Sequence, residues 1–406
     1  MPSWRAFGPD TRVTSRRRVV VTAVGMVTPL GVGVERTWRA TLAGENGVRP
    51  IQRFDASDYP VRFAAEVDVP GSGATLKQAL AMLALDEALA SGVPAPGSRL
   101  GVCLGSEAAR PPLEWLFRTT PPAGEEIAAL APDAPTRMIA RRLGALGPRS
   151  TVSTACTSSS QAIGEAVLRI RRGEVDTMIA GGVDVLSEPL MVVGFSKLGA
   201  LSTRNDAPEH ASRPFDLHRD GFVLGEGAGM LVLEEREHAI ARGASILAEV
   251  TGYGCSCNAW RITDSPPDGR GAAAAMLDAV TDAGLTPDDI GYINAHGTST
   301  PQNDHSESQA IHRVFGKPVP VSSTKGQMGH LVAACGAVEA ILCVLALRDQ
   351  VVPPTRNLVT PDPACGDLDH VLVARPTHGL LRHTLTNAFG FGGSNGSLVF
   401  SMSDTS

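Results

Sequence analysis

Lysine is nearly missing from this chain. Lys77, Lys197, Lys317 and Lys325 are the four among 36 basic residues in a length of 406, and the others are arginines. A GC-rich coding sequence accounts for such a skew, and the skew makes each lysine conspicuous, Lys325 above all. Charged residues are sparse at 19%, and the net charge is -6. That balance excludes nucleic acid as the main partner, because gripping phosphates needs a basic surface. No apolar run reaches the roughly 18 residues that a membrane-spanning helix requires. The first 17 residues carry Arg5, Arg12, Arg16 and Arg17 without the apolar stretch of a secretion signal, and read as a loose N-terminal extension. The seven cysteines, Cys103, Cys156, Cys255, Cys257, Cys335, Cys343 and Cys365, are odd in number and scattered. That is not a disulfide framework. Cys255 and Cys257 have no second pair near them, which argues against a zinc site. A reducing cytoplasm is the expected compartment.

What is present is enough apolar residue, 43%, to bury a large core. The length exceeds one ordinary domain. Short β-branched and apolar runs bounded by glycine read as buried strands at 18–25, 100–106, 150–155, 175–184, 229–235, 246–254 and 290–297. Helical patterns fall at 35–43, 75–90, 157–172, 271–283 and 331–348. The stretch 383–401 reads as two strands around a glycine-rich turn, and 107–135 stays unassigned. Strands alternating with helices predict parallel or mixed sheets covered on both faces. Two halves fit the length, 18–248 and 249–406, although no close internal repeat is visible.

Three residues stand out chemically. Cys156, in Ser153-Thr154-Ala155-Cys156-Thr157-Ser158-Ser159, follows a strand and opens a helix. A helix N-terminus favours negative charge and so the reactive thiolate, although a buried, inert cysteine is the commoner case. His296 lies in Asn294-Ala295-His296-Gly297-Thr298-Ser299-Thr300, and His330 in Ser323-Thr324-Lys325-Gly326-Gln327-Met328-Gly329-His330. Each sits in a Gly/Ser/Thr-rich turn after a strand, where loops carry function. The turn at Asn387-Ala388-Phe389-Gly390-Phe391-Gly392-Gly393-Ser394-Asn395 could free backbone N–H groups for an oxyanion. The glycines of 221–229 resemble a phosphate loop but run into a strand without the Lys-Ser/Thr ending.

Taken together, TACTSSS, NAHGTSTPQND, STKGQMGHL and NAFGFGGSNGS, with RPFDLHRDGFVLGEGAGMLVLEE at 213–235, resemble the elongating β-ketoacyl-carrier-protein synthases of the thiolase superfamily. The resemblance spans most of 17–402. It implies an α/β, five-layered αβαβα fold made of two similar halves, and a dimer. By resemblance Cys156 takes the acyl chain from an acyl carrier protein, and His296 and His330 bind a malonyl thioester and stabilise the enolate left by CO2. Cys156 and Phe391 match the oxyanion hole, and Phe389, Phe391 and Gly392 the gating loop beside the acyl pocket. Lys325 and Glu339 match a supporting charged pair. Thr298 and Thr300 match contacts to phosphopantetheine, and Thr263 belongs to a mobile-loop motif. No resident cofactor or metal is implied, since the phosphopantetheine arrives on the carrier.

The chain departs from the family in two places. After Pro70 it lacks a basic, methionine-containing segment used in carrier docking, and Gly105 to Cys156 is several residues short. These departures lean the expectation towards a type II polyketide enzyme paired with a chain-length-factor-like homologue lacking the cysteine. A homodimeric fatty-acid elongating synthase is the alternative. A non-catalytic scaffold subunit is disfavoured by the retained Cys156, His296 and His330. A thiolase is disfavoured by Phe391 and Ser394 where a second cysteine would stand.

Overall fold

The computed structural model describes residues 16–92 and 94–403. Most of the expected loose N-terminal extension lies outside the described residues. Its last two residues are anchored: Arg16 pairs with Asp282 and Arg17 with Asp176.

The chain builds one arrangement twice. The first half runs β1 (Val19–Thr28), α1 (Gly73–Ala88), β2 (Leu100–Gly105), α2 (Ala134–Leu143), β3 (Arg149–Val152), α3 (Ser158–Arg171), β4 (Thr177–Asp184) and β5 (Gly227–Glu235). The second runs β6 (Ala248–Cys257), α4 (Arg270–Asp282), β7 (Tyr292–Asn294), α5 (Pro301–Val314), β8 (Pro320–Ser322), α6 (Cys335–Asp349), β9 (His383–Phe389) and β10 (Ser394–Ser401). The strand order is β3-β2-β4-β5-β1 in one and β8-β7-β9-β10-β6 in the other. In both, the central strands are parallel and the last two antiparallel. The halves meet where Val20 and Val21 of β1 lie opposite Glu249 and Ala248 of β6. The repetition is of element order and pairing rather than residue identity, and so was invisible as a sequence repeat.

Helix α6 shows where the centre lies. Every residue from Cys335 to Leu347 is buried, and a helix apolar all round belongs inside. It packs on α3 and on strands of both halves, as α3 does, so these two helices form the middle of five layers. Helices α1 and α2 cover the first sheet, and α4 with α5 beside it covers the second. The N-terminal ends of α3 and α6 touch closely. A Cβ on Gly336 would lie 2.0 Å from Ser160 Oγ, so only glycine lets the two helices meet there. Gly105 likewise ends β2 where a Cβ would lie 2.3 Å from the Ser159 nitrogen. These contacts bring the turn before α3 against the turn before α6.

Candidate active site

Both turns have one design. After β3 the chain makes a 3-10 turn, Ala155–Thr157, and enters α3. After β8 it makes another, Val332–Ala334, and enters α6. Each opens on a non-glycine residue in the left-handed region, Ala155 at φ 53° and Val332 at φ 40°. Such a conformation costs on the order of 1–3 kcal/mol and persists only where neighbours hold it. Glu107 holds the first. Its carboxylate accepts from the Ala155 N–H at 2.9 Å, Ser153 Oγ at 2.8 Å and Ser158 Oγ at 3.2 Å. Cys156 is the second residue of the first turn and Ala333 the second of the other, so the fold uses the turn once to raise a thiol and once to support an imidazole.

That imidazole faces the thiol. His330 Nε2 lies 3.0 Å from Cys156 Sγ, and the Val332 N–H donates to His330 Nδ1 at 3.2 Å. A backbone donor on Nδ1 puts the ring proton on Nε2, aimed at the sulfur and at any carbonyl bound there. His296 meets His330 edge-on with ring centres 5.2 Å apart, and its Nδ1 is buried without a partner. The backbone N–H groups of Phe391 and Cys156 face the sulfur, completing a ring of donors.

Burial dominates the electrostatics. It pushes the Cys156 thiol up to about 12, against Lys325 and the two N–H groups, which favour the thiolate. The expected lowering by the helix N-terminus is therefore outweighed in the free enzyme: desolvation of a cysteine only 8% exposed is the larger effect. Burial, with the nearby Lys325 charge, also holds His296 and His330 well below the usual imidazole value, so both are neutral near pH 7. Alkylation of Cys156 by iodoacetamide should accordingly rise about tenfold per pH unit from neutrality to beyond about pH 9, without a plateau. A plateau near the ordinary thiol value would mean that the N–H groups outweigh burial.

The other expected residues divide into two groups. Cys156, His296, His330, Phe389, Phe391, Thr263, Thr298 and Thr300 line one cleft of about 960 Å³. Lys325 and Glu339 are buried behind its wall, and Gly392, expected in the gating loop, is exposed and does not line the cleft. Lys325 and Glu339 form a buried ion pair, with a ring nitrogen of His296 within 4.8 Å of the Glu339 carboxylate. Burial lowers Lys325, but the Glu339 carboxylate outweighs it and holds the ammonium charged. Gly392, at φ 83°, donates its N–H to the Ile262 carbonyl at 2.7 Å, tying the gating turn to the Thr263 loop. Thr298 and Thr300 share a hydroxyl contact of 2.9 Å.

Several working residues escaped the sequence reading. Glu307 accepts the N–H groups of His296 and Gly297 at 2.8 and 2.7 Å, fixing the histidine turn. Asp304, one helical turn earlier on α5, takes the N–H groups of Ser299 and Phe215. Their i, i+3 spacing just after His296 was the available signal. Phe222 and Phe195 wall the cleft, Phe222 edge-on to His330 with centres 5.3 Å apart. Glu107 had no signal, since it lies in the unassigned stretch. Glu107→Ala should strand three donors, lower stability by about 1–3 kcal/mol and slow acyl loading, with Glu107→Gln milder. Loading rates and melting curves of both variants would check this, and wild-type loading in Glu107→Ala would free the turn of any dependence on the carboxylate.

A buried thiol on a strained strand-to-helix turn, two neutral imidazoles and backbone donors on the sulfur, within a doubled α/β fold, define a thiolase-like acyl-transfer enzyme. The comparisons agree. Residues 16–239 match the β-ketoacyl synthase N-terminal domain and 247–359 its C-terminal domain. The 3-oxoacyl-[acyl-carrier-protein] synthase 2 of Vibrio cholerae is 44% identical over 95% of this chain and 99% of its own. Among solved structures, a type II polyketide synthase ketosynthase, bound to the hexaketide in complex with its acyl-carrier protein, aligns at 34% identity and TM-score 0.88 over 96% of this chain and 100% of its own. The ishigamide ketosynthase/chain length factor aligns at 33% and 0.83 over 96% and 100%. The chain belongs to the β-ketoacyl synthase family of condensing acyltransferases. Among the described residues no helix is long and apolar enough to cross a membrane.

Proposed function

We propose that the protein joins a Cys156-bound acyl chain to a malonyl unit on an acyl carrier protein, releasing CO2 and a β-ketoacyl product two carbons longer. The observation that carries this is the 3.0 Å contact of His330 Nε2 with Cys156 Sγ, inside a cleft holding a second neutral imidazole. Sγ attacks the acyl thioester carbon, and the carrier thiol leaves with the cysteine proton. His296 and His330 donate to the malonyl thioester oxygen, so the electrons freed by loss of CO2 rest as an enolate. Its carbon attacks the Cys156 thioester, the Cys156 and Phe391 N–H groups hold the oxyanion, and Sγ leaves. Preorganised donors of this kind are worth roughly 3–4 kcal/mol each. Thr298, Thr300 and Thr263 line the route of the phosphopantetheine arm, and the chemistry calls for no resident cofactor.

The curated relatives, named 3-oxoacyl-[acyl-carrier-protein] synthase 2, weigh for a fatty-acid-type elongating synthase ahead of the polyketide reading that the shortened pocket region suggested. Likeness to the type II polyketide synthase ketosynthase and to the ishigamide ketosynthase/chain length factor supports the second reading, with a chain-length-factor-like partner in place of a second copy. Intact mass after mixing with acyl carriers and then malonyl carrier tests the reaction. An adduct replaced by the longer product supports it, and no adduct with any chain sinks it. The solution mass of the chain produced alone separates homodimer from an obligate pair.

A further inference from the structure

A second hollow lies beside the cleft, and Ala155, Phe195 and Val332 line both. It is therefore where the tail of an acyl group on Cys156 would go. Its walls carry charge unsuited to a plain hydrocarbon: Glu107, Asp184 and Arg110. Two of these are committed. Glu107 takes the three donors of the Cys156 turn. Asp184 pairs with Lys77 at 2.8 Å and accepts the N–H groups of Val185 and Ala333. Arg110 is not. Its Nη1 donates to the Ala108 carbonyl at 2.6 Å and its Nε lies 3.1 Å from Met191 Sδ. Among the described residues no carboxylate forms an ion pair with it. Glu188 is within electrostatic reach and lines the adjoining hollow with Arg110, but does not pair with it.

We propose that Arg110 reads the distal end of the acyl chain, and that the favoured chains carry an acceptor oxygen there, a carboxylate above an oxo group. This rests on the ketosynthase reading. A guanidinium offers a planar fork of donors matched to a carboxylate. A saturated tail entering this second hollow strips water from that fork and returns nothing.

The test is a rate comparison. Carriers loaded with octanoyl, its ω-oxo and its ω-carboxy counterparts are mixed with wild type, Arg110→Lys and Arg110→Gln, and adducts on Cys156 are followed by intact mass. Wild type should load the ω-carboxy chain about tenfold or more faster than octanoyl, with ω-oxo between. Arg110→Gln should abolish that preference with octanoyl loading intact, and Arg110→Lys should keep part of it. Equal wild-type rates overturn the proposal, as does an Arg110→Gln loss shared by all three chains, which would make Arg110 a structural or interface group. No loading of any chain on wild type would remove the ketosynthase reading itself, and the inference with it.

Discussion

Cys156→Ala should form no acyl adduct yet still release CO2 from a malonyl carrier, and His330→Ala should do the reverse. The split follows from the two turns. The thiol belongs to the turn before α3 and is needed only to hold the acyl chain. The imidazole belongs to the turn before α6, where Val332 fixes its tautomer so that Nε2 donates. Removing one such donor from a dry site costs about 10²–10³ in rate. His330→Ala should therefore lower CO2 release by that factor while Cys156 still loads. Because His330 is held neutral, its role as donor should not fade between about pH 6 and 8. Intact mass measures loading, and trapping of labelled CO2 measures decarboxylation. If His330→Ala lost loading and kept CO2 release, the imidazole would be the general base for the thiol and the assignment of the two turns would have to be exchanged.

How much of this was legible beforehand depends on which physics each element obeys. Strands β1, β2 and β4 and helix α6 were readable because they are predominantly apolar runs. Helix α5 was not: its residues Pro301–Val314 are mostly polar, and only tertiary contacts give Asp304 and Glu307 their buried roles as acceptors. The motif residues were visible as a resemblance, but their division was not. Nothing along the chain says that Lys325 and Glu339 lie behind the wall while Thr263, distant in sequence, reaches it. The thiol shows the limit most sharply. A cysteine at a helix start suggested a lowered pKa, but burial depends on what the other half packs over it. The duplication, too, lies in hydrogen-bonded order, which residue identity does not record.

Lys325→Ala should be the most destabilising single change in the site. Lys325 and Glu339 are 1% and 3% exposed, and their ion pair joins the loop after β8 to the middle of α6. Burying such a pair gains little over apolar residues of the same size, but removing one partner forces the other to stay charged without compensation or to take the cost of neutralising, about 3–5 kcal/mol. Glu339 is already pushed up by burial, to about 7, with Lys325 opposing the rise. In Lys325→Ala that opposition is lost, so Glu339 would fold protonated, and stability should fall as pH rises from about 4.5 through the raised folded value, where the unfolded chain ionises and the folded one resists. Combining Lys325→Met with Glu339→Leu removes both charges and should recover most of the folded stability in urea titrations. It should not recover the chemistry. The Lys325 ammonium is the largest influence favouring the Cys156 thiolate against burial, so the double variant should alkylate severalfold more slowly than wild type at any fixed pH. Equal alkylation with restored stability would leave the pair a purely structural clamp between the two halves of the site. Slow alkylation with restored stability would assign it the second task of tuning the nucleophile.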